Sequence, residues 1–107
     1  MFPGKMKDMG KLLKQAQRAQ EQMQEEIAAL RLDGTAGGGA VTATLDGKKN
    51  LVALVIAKEV LEDPDPQMVA DLVIAAVAEA GRKIDDEVER KMGALTSMLG
   101  LPPGMGF

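Results

Sequence analysis

Val41-Thr42-Ala43-Thr44-Leu45-Asp46-Gly47-Lys48-Lys49-Asn50-Leu51-Val52-Ala53-Leu54-Val55-Ile56-Ala57 decides the fold, because here helical spacing gives way to extended chain. Val41, Ala43 and Leu45 alternate with Thr42 and Thr44, the period-2 pattern of a half-buried strand rich in β-branched residues. Asp46–Asn50 is a hairpin connection with a glycine in a loop of four or five residues. Leu51–Ala57 is apolar on both faces, which predicts a central strand or one buried twice. Upstream, Leu32–Thr35 offers a further short strand before the glycine run of Gly34-Thr35-Ala36-Gly37-Gly38-Gly39 closes at Gly37–Gly39, so the sheet has two or three strands. A two-stranded ribbon is barely stable alone, so it must pack on helices or on a second chain.

Both flanks are helical. From Lys5 to about Arg31, Met6, Met9, Leu13, Ala16, Gln20, Met23, Ile27 and Leu30 recur at alternating spacings of three and four, a narrow 3.5-residue seam with one polar entry. Gln, Lys and Glu fill the other faces, so this helix projects or pairs and is not buried all round. The Asp33–Gly39 stretch ends it. The second helix runs from Pro66 to about Ser97, with a broad stripe of Val69, Leu72, Val73, Ala76, Val77, Ala80, Ile84, Val88, Met92 and Leu95. Gly81 within it costs up to about 1 kcal/mol relative to Ala, which points to close packing at that position. Asp63-Pro64-Asp65-Pro66 reads as the helix start, since Asp caps orphan N–H groups and Pro suits the first helical position. Residues 1–100 form a single domain, and 101–107 a Pro/Gly tail in extended conformation.

The 107 residues contain no His, Cys, Trp or Tyr, and Phe only at positions 2 and 107. Without Cys there is no disulfide, thiolate nucleophile or zinc cluster, and without His no imidazole base or Ser-His-Asp triad. The glycine run lacks the Lys-Ser/Thr that a phosphate-binding P-loop needs after its last Gly, because Ala40-Val41 follow. It reads instead as a flexible turn or strand kink. Carboxylates at Glu62, Asp63 and Asp65 are explained by the helix start. The residues support no catalytic site, no cofactor, no metal and no small-molecule substrate. The longest apolar runs, Leu51–Ala57 and Leu72–Ala78, fall far short of the roughly 20 residues that cross a bilayer. The N-terminus lacks the apolar stretch of a signal peptide, so a cytoplasmic protein without membrane contact is expected. A core built without aromatics buries little area per side chain, which favours association.

Charge is distributed unevenly. Thirteen basic and 16 acidic side chains leave a net −3, with a pI near 4.9. Residues 1–20 nevertheless carry Lys5, Lys7, Lys11, Lys14 and Arg18 against Asp8 alone, a net +4, while residues 59–71 carry Glu59, Glu62, Asp63, Asp65 and Asp71 with no base. Lys7, Lys11, Lys14 and Arg18, spaced four, three and four, share one helical face opposite the Met/Leu seam, and Glu21 and Glu25 reverse the sign further along it. Cations near a helix N-terminus oppose the macrodipole by about 0.3–1 kcal/mol each, so local helix stability did not place them there. In the second helix Arg82–Asp86, Lys83–Glu87, Asp86–Arg90 and Glu87–Lys91 are all expected i,i+4 pairs. The stripe, extended by Lys48 and Lys49, is a candidate for facing phosphates; an ordinary solvated face is the alternative. No aromatics interleave with the basic residues, which disfavours base-stacking on single strands.

Lys14-Gln15-Ala16-Gln17 with Gln22-Met23-Gln24-Glu25-Glu26-Ile27 resembles the first helix of the YbaB/EbfC nucleoid-associated proteins. Gly37-Gly38-Gly39-Ala40-Val41, Leu61-Glu62-Asp63, Asp71-Leu72-Val73 and Leu101-Pro102-Pro103-Gly104 resemble that family too, in order along essentially the whole chain. The resemblance implies an α+β protomer of order α-β-β-β-α, in which two long helices flank a small antiparallel sheet. It further implies a homodimer joined through its sheets, with the helices projecting as pincers, that binds double-stranded DNA in the nucleoid with weak sequence preference. No catalytic activity or cofactor comes with the family. Members commonly have a Lys where Thr42 stands and an Asp-Pro or similar pair at Ala57-Lys58. The first departure removes a phosphate contact from the sheet surface; the second alters only the turn. DNA contact is thereby expected from Lys7, Lys11, Lys14, Arg18, Lys48 and Lys49. The acidic pI keeps a rival open, in which a dimeric module grips another protein through the Met-lined seam and the 59–71 segment.

Overall fold

The computed structural model describes residues 2–98 and Gly100, with side chains described from Asp8 onward. Three strands form an antiparallel meander: β1 (Arg31–Ala36), β2 (Val41–Asp46) and β3 (Leu51–Ile56), in spatial order β1-β2-β3. Two helices flank it, α1 (Phe2–Ala28) and α2 (Pro66–Met98), and a 3-10 turn at Lys58–Leu61 precedes α2. The extended tail expected for 101–107 lies outside the described residues.

The alternation in β2 does what its pattern requires. Val41, Ala43 and Leu45 are buried against α2, and the two threonines are half-buried on the other face. One cluster joins Val41, Ala43 and Ala76; a second joins Leu45, Ala80 and Ile84, with Leu30, Leu32 and Val88 packed around it. Across the β1–β2 pair, the Thr44 hydroxyl donates to Asp33 Oδ1 at 2.6 Å.

Close helix–sheet contact falls at Gly34 and not at Gly81. A Cβ on buried Gly34 would overlap the Ala76 carbonyl oxygen and the Ala80 nitrogen, so the α2 backbone rests directly on β1. At Gly81 the nearest atom to such a Cβ is Leu45 Cδ1 at 3.9 Å, an ordinary contact. The small residues that permit the approach are thus Gly34, Ala76 and Ala80. Gly37, Gly38 and Gly39 make the β1–β2 turn with φ of 64°, 68° and 95°, a run that only glycine tolerates at little cost.

β3 is an edge strand and largely exposed, against the expectation that it is central or buried twice. α2 lies across β1 and β2, and Ile56 is the β3 residue that packs on the core beside it. Leu51, Val52, Leu54 and Val55 are 46%, 47%, 40% and 63% exposed. Apolar residues on both faces of a strand do not by themselves show which strands a single helix reaches.

α1 ends at Ala28, three residues before the expected boundary. The Arg31 guanidinium donates to the Ala28 and Leu30 carbonyls at 3.1 and 2.7 Å, satisfying acceptors at the helix end. The start of α2 is as read: Asp65 Oδ1 accepts the Gln67 and Met68 N–H groups at 3.1 and 3.4 Å. Beyond the sheet, the C-terminal half of α2 runs beside α1, bringing Met92 and Leu95 to Met23 and Ile27. The molecule measures 77 × 21 × 16 Å with a radius of gyration of 20.6 Å. A compact chain of this length has a radius of about 13 Å, so the helices project well beyond the sheet.

Candidate nucleic-acid interface

α1 is a rod whose seam residues Ala16, Met23 and Ile27 are half-buried toward α2, leaving Lys11, Lys14 and Arg18 exposed on the opposite side. At 1.5 Å per residue, the stripe from Lys7 to Arg18 is about 16 Å long. The backbone of Lys7 continues the helix at the stripe spacing, and its side chain is outside the described residues. Lys11, Lys14 and Arg18 have no carboxylate partner among the described residues.

Lys48 and Lys49 are placed differently. Their turn is held by Asp46, whose Oδ1 accepts the Lys48 and Asn50 N–H groups at 2.9 Å each, while the Asn50 side chain donates to Oδ2 at 3.3 Å. The Asn50 backbone hydrogen bond, followed by the Asn50 side chain and the Lys48 N–H, holds the Asp46 carboxyl below its ordinary value of 3.8. The turn is seated on the end of α1, since a Cβ at Gly47 would overlap the Ile27 carbonyl. Lys48 therefore lines a surface groove with Glu21, Gln24, Glu25, Ile27 and Ala28. Lys49 Nζ is 2.7 Å from Asp85 Oδ1 on α2. The structure thus brings Lys11, Lys14 and Arg18 onto one face, and separates Lys48 and Lys49 from them by Glu21 and Glu25.

The four i,i+4 pairs expected along α2 are replaced by others. Lys83 reaches back to Glu79 at 3.5 Å and donates to the Asp33 carbonyl at 2.9 Å; Arg90 pairs with Glu87; Lys91 crosses to Glu26 of α1 at 3.4 Å. Glu79 also accepts the Thr35 N–H at 3.3 Å, clamping β1 to α2. Two of these pairs stay within α2 with other partners, while Asp33, Glu26 and Lys49 from other elements draw on Lys83, Lys91 and Asp85, which spacing along one helix cannot register. The stripe on α1, lacking such neighbours, keeps its charge exposed.

A second surface lies on β3, the strand whose sequence predicts a central or doubly buried position. The exposed apolar side chains of β3 adjoin the strand's open backbone edge, which is where another strand can pair. The signal was present in the doubly apolar Leu51–Ile56, set against a chain with one helix available to cover the sheet.

No described helix is long and apolar enough to cross a membrane. The model of the YbaB/EbfC DNA-binding family matches residues 5–99. A nucleoid-associated protein of Clostridium perfringens (strain SM101 / Type A) is 50% identical over 104 residues, covering 94% of this chain and 93% of the relative. One from Acidobacterium capsulatum is 41% identical over 110 residues, covering 98% and 99%. Among solved structures, the uncharacterized protein HP0035 from Helicobacter pylori superposes with a TM-score of 0.64 at 23% identity, covering 84% of this chain and 92% of that one, a likeness of fold. With α-β-β-β-α order, a basic first helix and full-length relatives in agreement, the chain belongs to the YbaB/EbfC DNA-binding family.

Proposed function

We propose that the protein binds double-stranded DNA as a homodimer, with weak sequence preference, and organises DNA in the nucleoid with effects on gene expression. The observation that carries this reading is the face of Lys11, Lys14 and Arg18, exposed on a projecting helix and continued by Lys7. Phosphate contact explains cations set at the helix end where the macrodipole disfavours them. The printed names of the relatives, nucleoid-associated proteins, support the same reading. Pairing of β3 with β3 of a second copy covers Leu51, Val52, Leu54 and Val55 and presents two stripes on one assembly. Lys48 and Lys49 serve as secondary phosphate contacts: the Lys49–Asp85 pair is half-exposed on both sides, and such pairs contribute only about 0–1 kcal/mol. The role is binding, with no chemistry assigned to any residue.

Titration of a labelled duplex at increasing salt tests it. Eight stripe cations on a dimer give a slope of log K against log salt of about −7 at full engagement. Retention of partners from nuclease-treated extract, together with no duplex binding at low salt, would instead favour the protein-gripping module.

A further inference from the structure

α2 stops while α1 still has apolar surface to cover. Ala19, Met23 and Ile27 of α1 are half-buried, whereas Met9, Leu12 and Leu13 are 64%, 63% and 64% exposed. Met98, where α2 ends, borders a groove of about 340 Å³ with Leu12, Gln15, Ala16 and Ala19. A second hollow of about 340 Å³, formed by Met9, Leu12, Leu13 and Ala16, continues along α1 toward its N-terminus. The chain leaves α2 through Gly100, whose φ of 74° and hydrogen bond from its N–H to the Ser97 carbonyl at 3.1 Å turn it away from the helix axis.

Next in the chain comes Leu101-Pro102-Pro103-Gly104-Met105-Gly106-Phe107, with large apolar residues and no charged side chain. We propose that this segment occupies the groove, with Leu101 entering beside Met98 and Leu12 and the residues after the prolines lying along Leu13 and Met9. Three arguments favour it over other occupants. The segment starts at the groove's edge, and seven extended residues reach about 23 Å, against about 10 Å along the axis from Ala16 to Met9. Pro102-Pro103 excludes helix and pre-extends the chain, so little freedom is lost on docking. The tail also brings no charged side chain to bury in this apolar groove, where an unpaired charge is costly. Occupied in this way, the apolar face is closed and the cationic face opposite it stays open.

The absence of cysteine lets a single nitroxide be attached at Gly106→Cys in the full chain. Its broadening of amide resonances in ¹⁵N-labelled protein then locates the tail. The expected result is loss of intensity at Met9–Ala16 but not at Asp65–Asp71, with intensity regained when Leu101→Ser and Met105→Ser are added. Broadening that persists in the double serine variant, or that is weak and uniform along the chain, overturns the proposal. So does comparable broadening at Met9–Ala16 in ¹⁵N-labelled, unmodified chains mixed with an excess of unlabelled nitroxide-bearing ones, since the occupant is then another copy.

Discussion

At the scale of single residues, Gly34 and Asp46 set the two contacts that fix the sheet between the helices. Gly34 lets the backbone of α2 rest on β1, and a methyl group there meets main-chain atoms of Ala76 and Ala80 that cannot rotate away. Gly34→Ala is expected to destabilise the protein by about 3 kcal/mol or more, at the upper end of overpacking penalties. Gly81→Ala, whose new methyl group meets Leu45 only at ordinary contact distance, is expected to be neutral or to stabilise by up to about 1 kcal/mol through helix propensity. Urea denaturation of the two variants checks the contrast; a larger loss at Gly81 would refute the packing described. Asp46 acts through its charged form, because the N–H groups of Asn50 and Lys48 point at its carboxylate. Its pKa is lowered on folding, so its contribution is present above the unfolded value near 4 and is lost as pH falls through the folded one. Stability measured from pH 7 to pH 2 should therefore fall more steeply below pH 4 in the parent than in Asp46→Ala. Parallel profiles would mean that the turn does not depend on this carboxylate. The Asp46–Asn50 turn was legible as a hairpin, but the seating of Gly47 on Ile27 joins residues twenty apart and leaves no local trace.

Among the elements, β2 was readable from its alternation because both of its faces are settled within one chain. β3 was not, because Leu51–Ile56 is apolar on both faces while α2 leaves most of it exposed, and strand pattern alone does not register which strands a single helix reaches. Similarly, the charges of α2 could be matched on paper as four i,i+4 pairs, whereas Lys83 takes Glu79 and the Asp33 carbonyl, Arg90 takes Glu87, Lys91 crosses to Glu26 of α1 and Asp85 takes Lys49. A lysine on an edge strand resists pairing with another strand. Val55→Lys places one among the exposed residues of β3, away from the buried face of β2. Sedimentation is expected to show the parent near twice the protomer mass of 11.3 kDa and the variant near that mass, with helical content retained. A variant that remains dimeric would move the interface elsewhere, with the extended rods of α1 the next surface to examine.

For the whole molecule, shape and charge reinforce each other. The 77 Å length separates the cationic portion of α1, which projects with the end of α2, from the acidic 59–71 segment at the start of α2. A net −3 then describes no single surface that a ligand meets, although it opposes a polyanion's approach at long range when salt is low. The stripe itself was visible in the sequence as a spacing of four, three and four. Its isolation from Lys48 and Lys49 was not, because Glu21 and Glu25 intervene only once the hairpin is seated on the end of α1. The most direct test of the account is duplex affinity across a salt series for the parent and for Lys11→Glu, Lys14→Glu, Arg18→Glu combined. The account predicts that the variant remains a folded dimer, loses duplex binding at low salt by at least about tenfold, and shows a shallower salt slope because fewer phosphates are neutralised. Equal affinity and equal slope in the two proteins would contradict it.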